Sequence, residues 1–251
     1  MMTWRRILVS MMAIAMLGIA SGLAAQQPQG QAAGGGTQDH VAALKQTIQQ
    51  GMALARKYEW VETTIISMKG EEKSRKQNRC YYGADGKVQK TSLDQPQQQA
   101  QDQGGGRGGR RGGRVKEQVV EKKKDEMKDY MEKAAALIHS YIPPNPAQIQ
   151  AAKEAGRVEA NPQPGGKVRL VISQYLKPGD SLTIDMDPAT NKLLGLGVNS
   201  YLDTQDDVVT LAVQMSSLPD GAIYAGQTTL EAKAKNITVV VQNSGYRPVQ
   251  Q

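Results

Sequence analysis

Phenylalanine is absent from the chain, cysteine occurs once (Cys80), and histidine occurs twice (His40 and His139). Aromatics of all kinds make up only 4% of residues, so a core has to be built from Val, Ile, Leu, Met and Ala. One thiol excludes an internal disulfide and every paired-cysteine metal or redox motif. No H-E-x-x-H, no G-x-S-x-G elbow and no Gly-rich phosphate loop between a strand and a helix is present. Cys80 stands in the strand-like run Asn78-Arg79-Cys80-Tyr81-Tyr82, far in sequence from either histidine, and reads as a buried, inert thiol. His139, among Leu137, Ile138 and Tyr141, reads as a helix-face residue. No residue is therefore assigned a catalytic or cofactor-binding role, and the expectation is a protein that is not an enzyme.

Long apolar runs are missing too, with one exception. Met1 to Arg6 carries two arginines, Ile7 to Ile19 is apolar apart from Ser10 and Gly18, and small residues follow from Ala20 to Ala25. Charge, short apolar core and small-residue exit, in that order, are the pattern of a secretory signal peptide. The run is short for a bilayer-spanning helix, which needs about 20 apolar residues. Residues 1–25 are thus expected to be removed after Ala24 or Ala25, leaving no transmembrane segment in the mature chain. The protein would then be periplasmic or secreted. Arg5-Arg6 leaves the twin-arginine route open beside the general one.

Excess positive charge is largely local. The chain is +7. Arg5 and Arg6 carry two of those charges, Gln95–Arg114 holds four arginines against Asp102 for a net +3, and the remainder is +2. A nucleic-acid reading would rest on that one segment, and an exported chain seldom meets RNA, so nucleic acid is not the expected partner. Residues 95–114, glutamine-rich and then Gly/Arg-rich, cannot bury apolar surface and are expected to be disordered. Arg107, Arg110, Arg111 and Arg114 would be the contacts of this basic loop with an envelope protein or an anionic surface.

Residues 26–38 read as a flexible leader, and 39–251 as a single domain. Val41, Leu44, Ile48, Met52 and Ala55 line one face of a helix ending near Lys57. Tyr58–Met68, Glu72–Tyr82 and Lys87–Leu93 read as three strands, the last two joined by an Asp85-Gly86 turn. Val115–Tyr141 reads as a long helix stopped by Pro143-Pro144. Asn145-Pro146 then opens a short helix closed by Gly156. From Val168 onward the apolar period becomes two, giving about six more strands. These run through Leu176, then through Leu182–Met186, Leu194–Leu202, Val209–Met215, Thr228–Ala232 and Ile237–Val241. Strict alternation gives a sheet with one dry face, and three amphipathic helices supply its cover. The expected fold is α+β: a curved antiparallel meander of about nine strands, a half-open β-barrel cupping three helices.

The hairpin Leu182 to Leu194, with Asp187-Pro188-Ala189-Thr190 at its turn, resembles the strand–D-P-x-T–strand unit of the LolA/LolB and RseB superfamily. Leu218-Pro219-Asp220-Gly221 is similar to its penultimate turn. The resemblance implies a periplasmic half-barrel that binds a lipid or acyl chain between sheet and helices. Trp60, Ile66, Met68, Met127, Met131 and Leu137 would line that space. The same residues also suit a closed core, and the RseB-like alternative is an envelope protein-interaction or sensor module without ligand. Asp180, Asp185 and Asp187 are closely spaced acids of the kind that hold Ca²⁺, but a capped hairpin turn accounts for them, and no metal site is assigned.

Overall fold

The computed structural model describes residue 46 and residues 49–94 and 113–249. The expected signal peptide and leader, and Arg107, Arg110 and Arg111 of the basic loop, lie outside the described residues. Strands are β1 Tyr58–Met68, β2 Glu71–Tyr82, β3 Val88–Ser92, β4 Val158–Gln163, β5 Lys167–Ser173, β6 Ser181–Asp187, β7 Lys192–Tyr201, β8 Val208–Ser217, β9 Ile223–Ala232 and β10 Ile237–Pro248. They form one antiparallel sheet in the order β3-β2-β1-β10-β9-β8-β7-β6-β5-β4. Strands β1 to β3 and β4 to β10 each pair with their neighbours in sequence, β3 and β4 do not pair with each other, and β10 returns to pair with β1. The sheet is open, with β3 and β4 as its edges. α-Helical residues are 46 and 49–55, a long helix Gly113–His139 and a short helix Pro146–Glu154, with 3-10 turns at Pro164–Gly166 and Lys233–Lys235.

Alternation accounts for most of this. Val209, Leu211 and Val213 of β8 are buried, as are Leu230 and Ala232 of β9 and Ile237, Val239 and Val241 of β10. Their registers place them side by side on one face. Ala134, Ile138 and Tyr141 from the long helix and its end, with Ala152 from the short one, pack on that face in a single cluster. Each fully buried Ile, Leu or Val adds about 1.5–3 kcal/mol of transfer free energy. The short helix starts where expected. The Asn145 side chain accepts a hydrogen bond from the Ala147 N–H, and Pro146 occupies the first turn.

Four expectations need correction. Strand β4 was not anticipated, because Val-Glu-Ala-Asn-Pro-Gln is mostly exposed and has no apolar period. Its backbone pairs with β5 from Val158↔Ile172 to Gln163↔Lys167, and Pro162 is tolerated because β4 is an edge. The sheet therefore has ten strands, not nine. In β7 the buried residue is Leu193 rather than Leu194, since the β6–β7 register skips between Asp185 and Met186. Strand β5 stops at Ser173 instead of Leu176. Gln174 takes φ 51°, and Asp180 Oδ2 accepts from the N–H groups of Leu176 and Lys177, which folds the chain into a turn. The long helix also begins earlier than Val115, at Gly113, and so takes Gly113 and Arg114 out of the low-complexity segment.

Gly51 sets how closely the first helical segment approaches the sheet. A Cβ built there would lie 2.5 Å from Ile223 Cγ1 and 2.9 Å from Ile223 Cβ. Alanine gains about 1 kcal/mol of helix propensity over glycine, but overpacking costs about 1–3 kcal/mol. Gly51→Ala is expected to be neutral to destabilising by up to about 2 kcal/mol in urea unfolding, and Ile223→Val to relieve the loss. A clear gain in stability from Gly51→Ala alone would show that the contact is looser than this.

Candidate functional site

The β1 sequence alternates Trp60, Glu62, Thr64, Ile66 and Met68 on one side, and the last four sit in register with the buried side of β10. Near Trp60 the β1–β10 pairing changes. Glu59 faces Arg247 and Val61 faces Ser244, so Gly245 and Tyr246 together oppose Trp60. This is a bulge with a left-handed glycine, Gly245 at φ 64°. It turns Tyr246 inward, where its ring stacks on Trp60 with centroids 5.6 Å apart and planes 11° apart. Tyr224 of β9 meets Tyr246 at 4.1 Å, and Tyr82 of β2 meets Trp60 at 5.4 Å. The indole N–H donates to Asn243 Oδ1 at 3.0 Å, and the Asn243 amide donates to the Ala225 carbonyl at 2.9 Å. The indole N–H and both ends of the Asn243 amide are thereby satisfied.

A cavity of about 120 Å³ adjoins this cluster. Trp60, Tyr82, Tyr224 and Tyr246 form its aromatic side. Met52 and Ala55 of the first helical segment, Ile142, and Leu196, Val213 and Ile223 of the sheet supply aliphatic surface. One carboxylate, Glu62, belongs to the wall. It is only 4% exposed. The Lys90 ammonium reaches it from edge strand β3 and donates to both oxygens, at 2.8 and 2.7 Å. Register explains the meeting: Lys90 stands opposite Cys80, and Cys80 opposite Trp60, so the lysine stem crosses β2 on the inner face.

Of the six residues expected to line a ligand space, the structure places Trp60 on the cavity. Ile66, Met68, Met127, Met131 and Leu137 instead pack, half-buried, against the core cluster. The cavity residues that sequence reasoning missed include Glu62, Tyr82, Tyr224 and Tyr246, together with Asn243. Glu62 could have been found, since it keeps phase with Trp60 and Ile66. The tyrosines could not, because only the bulge at Gly245 turns Tyr246 inward. The three aspartates are drawn to separate tasks. Asp185 pairs with Arg169 at 2.7 Å, Asp187 accepts from the Ala189 and Thr190 N–H groups, and Asp180 meets the Tyr141 hydroxyl. His139 is exposed in the last turn of the long helix, and Arg114 lies in its first turn.

No model of a known protein family matches the chain, and no curated protein matches it. Among solved structures, the chain is similar to a DUF1329 family protein from Desulfovibrio piger ATCC 29098. The identity is 10%, with 83% of this chain and 92% of that one covered, at a TM-score of 0.34. At that score and identity the likeness carries no weight for fold or function. Among the described residues no helix is long and apolar enough to cross a membrane.

Burial, reinforced by the negative charge of Glu62, pushes the Cys80 thiol up to about 12. Burial likewise raises the Tyr246 hydroxyl well above the usual phenol range. Both groups are neutral below their pKa, while an unfolded chain releases thiol protons near 8.5 and phenol protons near 10. Stability is therefore complete below about pH 8.5 and drains away as pH rises toward 12. The urea midpoint is expected to fall between pH 8 and pH 10.5, by less in Cys80→Ala. At pH 8, Cys80 is expected to react with a thiol reagent only as fast as the protein opens. Rapid labelling of the folded chain would contradict this.

Proposed function

We propose that the chain is an exported, non-enzymatic binding protein of half-barrel form, which takes an apolar group into the space between sheet and helices. The observation that carries this reading is the cavity itself, aliphatic on one side and aromatic on the other. An empty apolar cavity of about 150 Å³ is large enough to bind benzene, so about 120 Å³ suits a ring or a few methylenes. A whole acyl chain exceeds it, which narrows the lipid expectation to a short or terminal portion. The turn residues resembling the LolA/LolB and RseB superfamily, and the N-terminal run resembling a signal peptide, support export and a half-barrel form. The high pKa of Cys80 supports the absence of a thiol nucleophile.

Native mass spectrometry of protein purified from the periplasm, followed by calorimetric titration with small ring compounds, tests the reading. Binding is expected between millimolar and micromolar, about −4 to −8 kcal/mol. Ala225→Leu, which projects into the cavity, is expected to abolish it while costing about 1–3 kcal/mol of stability. Absence of binding by the unaltered chain, or undiminished binding by Ala225→Leu, would reject it.

One observation favours a second reading, an envelope interaction or sensor module of RseB type. Five of the six residues expected to line a ligand space pack into the core instead. Such a module would act through its surface, including the basic segment 95–114. Deleting residues 95–112 would then remove specific partners recovered from envelope extract, and an unchanged partner set would reject the loop's role.

A further inference from the structure

Resting on the binding reading above, we infer that the cavity selects an uncharged, ring-bearing small molecule and rejects organic ions of either sign. The carboxylate, the indole N–H and the side-chain amide at the wall already have partners. Glu62 gives both oxygens to the Lys90 ammonium, with the two side chains only 6% and 9% exposed. Asn243 uses its oxygen on the Trp60 indole and its amide on a backbone carbonyl. An ammonium ligand would have to displace Lys90, and a carboxylate ligand would have to compete with Glu62. Either would forfeit the Lys90–Glu62 pair and bring a further ion out of water, which is far costlier than burying a neutral group. The Trp60, Tyr82, Tyr224 and Tyr246 rings provide faces and edges that reward another ring beyond its buried area. Volume sets the size at about one ring.

Three probes of nearly equal size, phenol, benzoate and benzylamine, titrated calorimetrically into the purified chain at pH 7, separate the possibilities. Phenol is expected to bind at least about tenfold more tightly than either ion. Benzoate or benzylamine binding as tightly as phenol would overturn the inference while leaving the binding reading intact. No heat from any of the three would overturn both. In Glu62→Gln the lysine loses its counter-ion, so benzoate is expected to gain about tenfold relative to phenol. An unchanged ratio in a folded Glu62→Gln variant would mean that the ion pair does not set the selectivity.

Discussion

Lys90→Met is expected to lower unfolding free energy by about 3–5 kcal/mol, whereas Glu62→Gln should cost well under that, about 1–2 kcal/mol. The asymmetry comes from where the two strands lie. Glu62 is on β1, between β2 and β10, and its carboxylate is buried against the cavity. Without the lysine, a carboxylate remains there with no route to water, and breaking a buried pair in this way carries the full desolvation penalty. Lys90 is on β3, a five-residue edge strand. When its partner is lost and no anion occupies the cavity, its four-carbon stem can swing the ammonium outward to solvent. The double variant Glu62→Leu with Lys90→Met removes both charges and should recover most of the loss, because an apolar pair of similar volume often matches or exceeds a buried ion pair. Urea unfolding of the four proteins measures each loss. Equal losses for the two single variants would show that the pair is solvated despite its low exposure.

The same pair shows how far the sequence carries. Period-two alternation from Leu182 to Val241, the Asn145-Pro146 helix start and the Asp85-Gly86 turn are local signals, and each appears in the structure where the local chemistry puts it. Strand β4 was illegible, because its pairing with β5 is a backbone property and its side chains carry no pattern. The exchange of Leu193 for Leu194 arises from a one-residue slip in pairing, and such a slip moves a side chain to the other face. Tyr246 is 186 residues from Trp60 in the sequence, and their stacking depends on the Gly245 bulge. Glu62 keeps phase with Trp60 and Ile66, but Lys90 looks like an ordinary charge on a wet strand face. Only the registers of β1 with β2 and of β2 with β3 reveal that the two meet on one side. The candidate site is thus assembled from long-range register, while the fold class follows from local period.

Tyr141→Phe is expected to cost about 1.5–3 kcal/mol, the worth of a hydrogen bond to a charged group, through the loss of one oxygen atom. Tyr141 is fully buried just beyond the long helix, and its ring lies 5.7 Å from that of Tyr175. Its hydroxyl donates to Asp180 Oδ2 and sits 2.8 Å from Ser200 Oγ on β7. Asp180 is 3% exposed, and among the described residues its other oxygen, Oδ1, has no hydrogen-bond partner. A carboxylate already lacking one partner has little to spare. Removing the tyrosine hydroxyl leaves it the Leu176 and Lys177 N–H groups alone, at 3.1 and 2.9 Å. The midpoint of thermal unfolding should fall by about 3–12 °C, at about 2–4 °C per kcal/mol for a chain of this size. Ser200→Ala, which leaves the tyrosine–aspartate bond in place, should cost no more than about 1 kcal/mol. Burial, and then the Asp180 carboxylate, also hold the Tyr141 phenol above its usual range, so Tyr141→Phe should soften the loss of stability above pH 10 as well. If Tyr141→Phe unfolds at the same temperature as the unaltered chain, the hydroxyl does not tie the long helix to the β5–β6 turn, and ring packing alone holds them together.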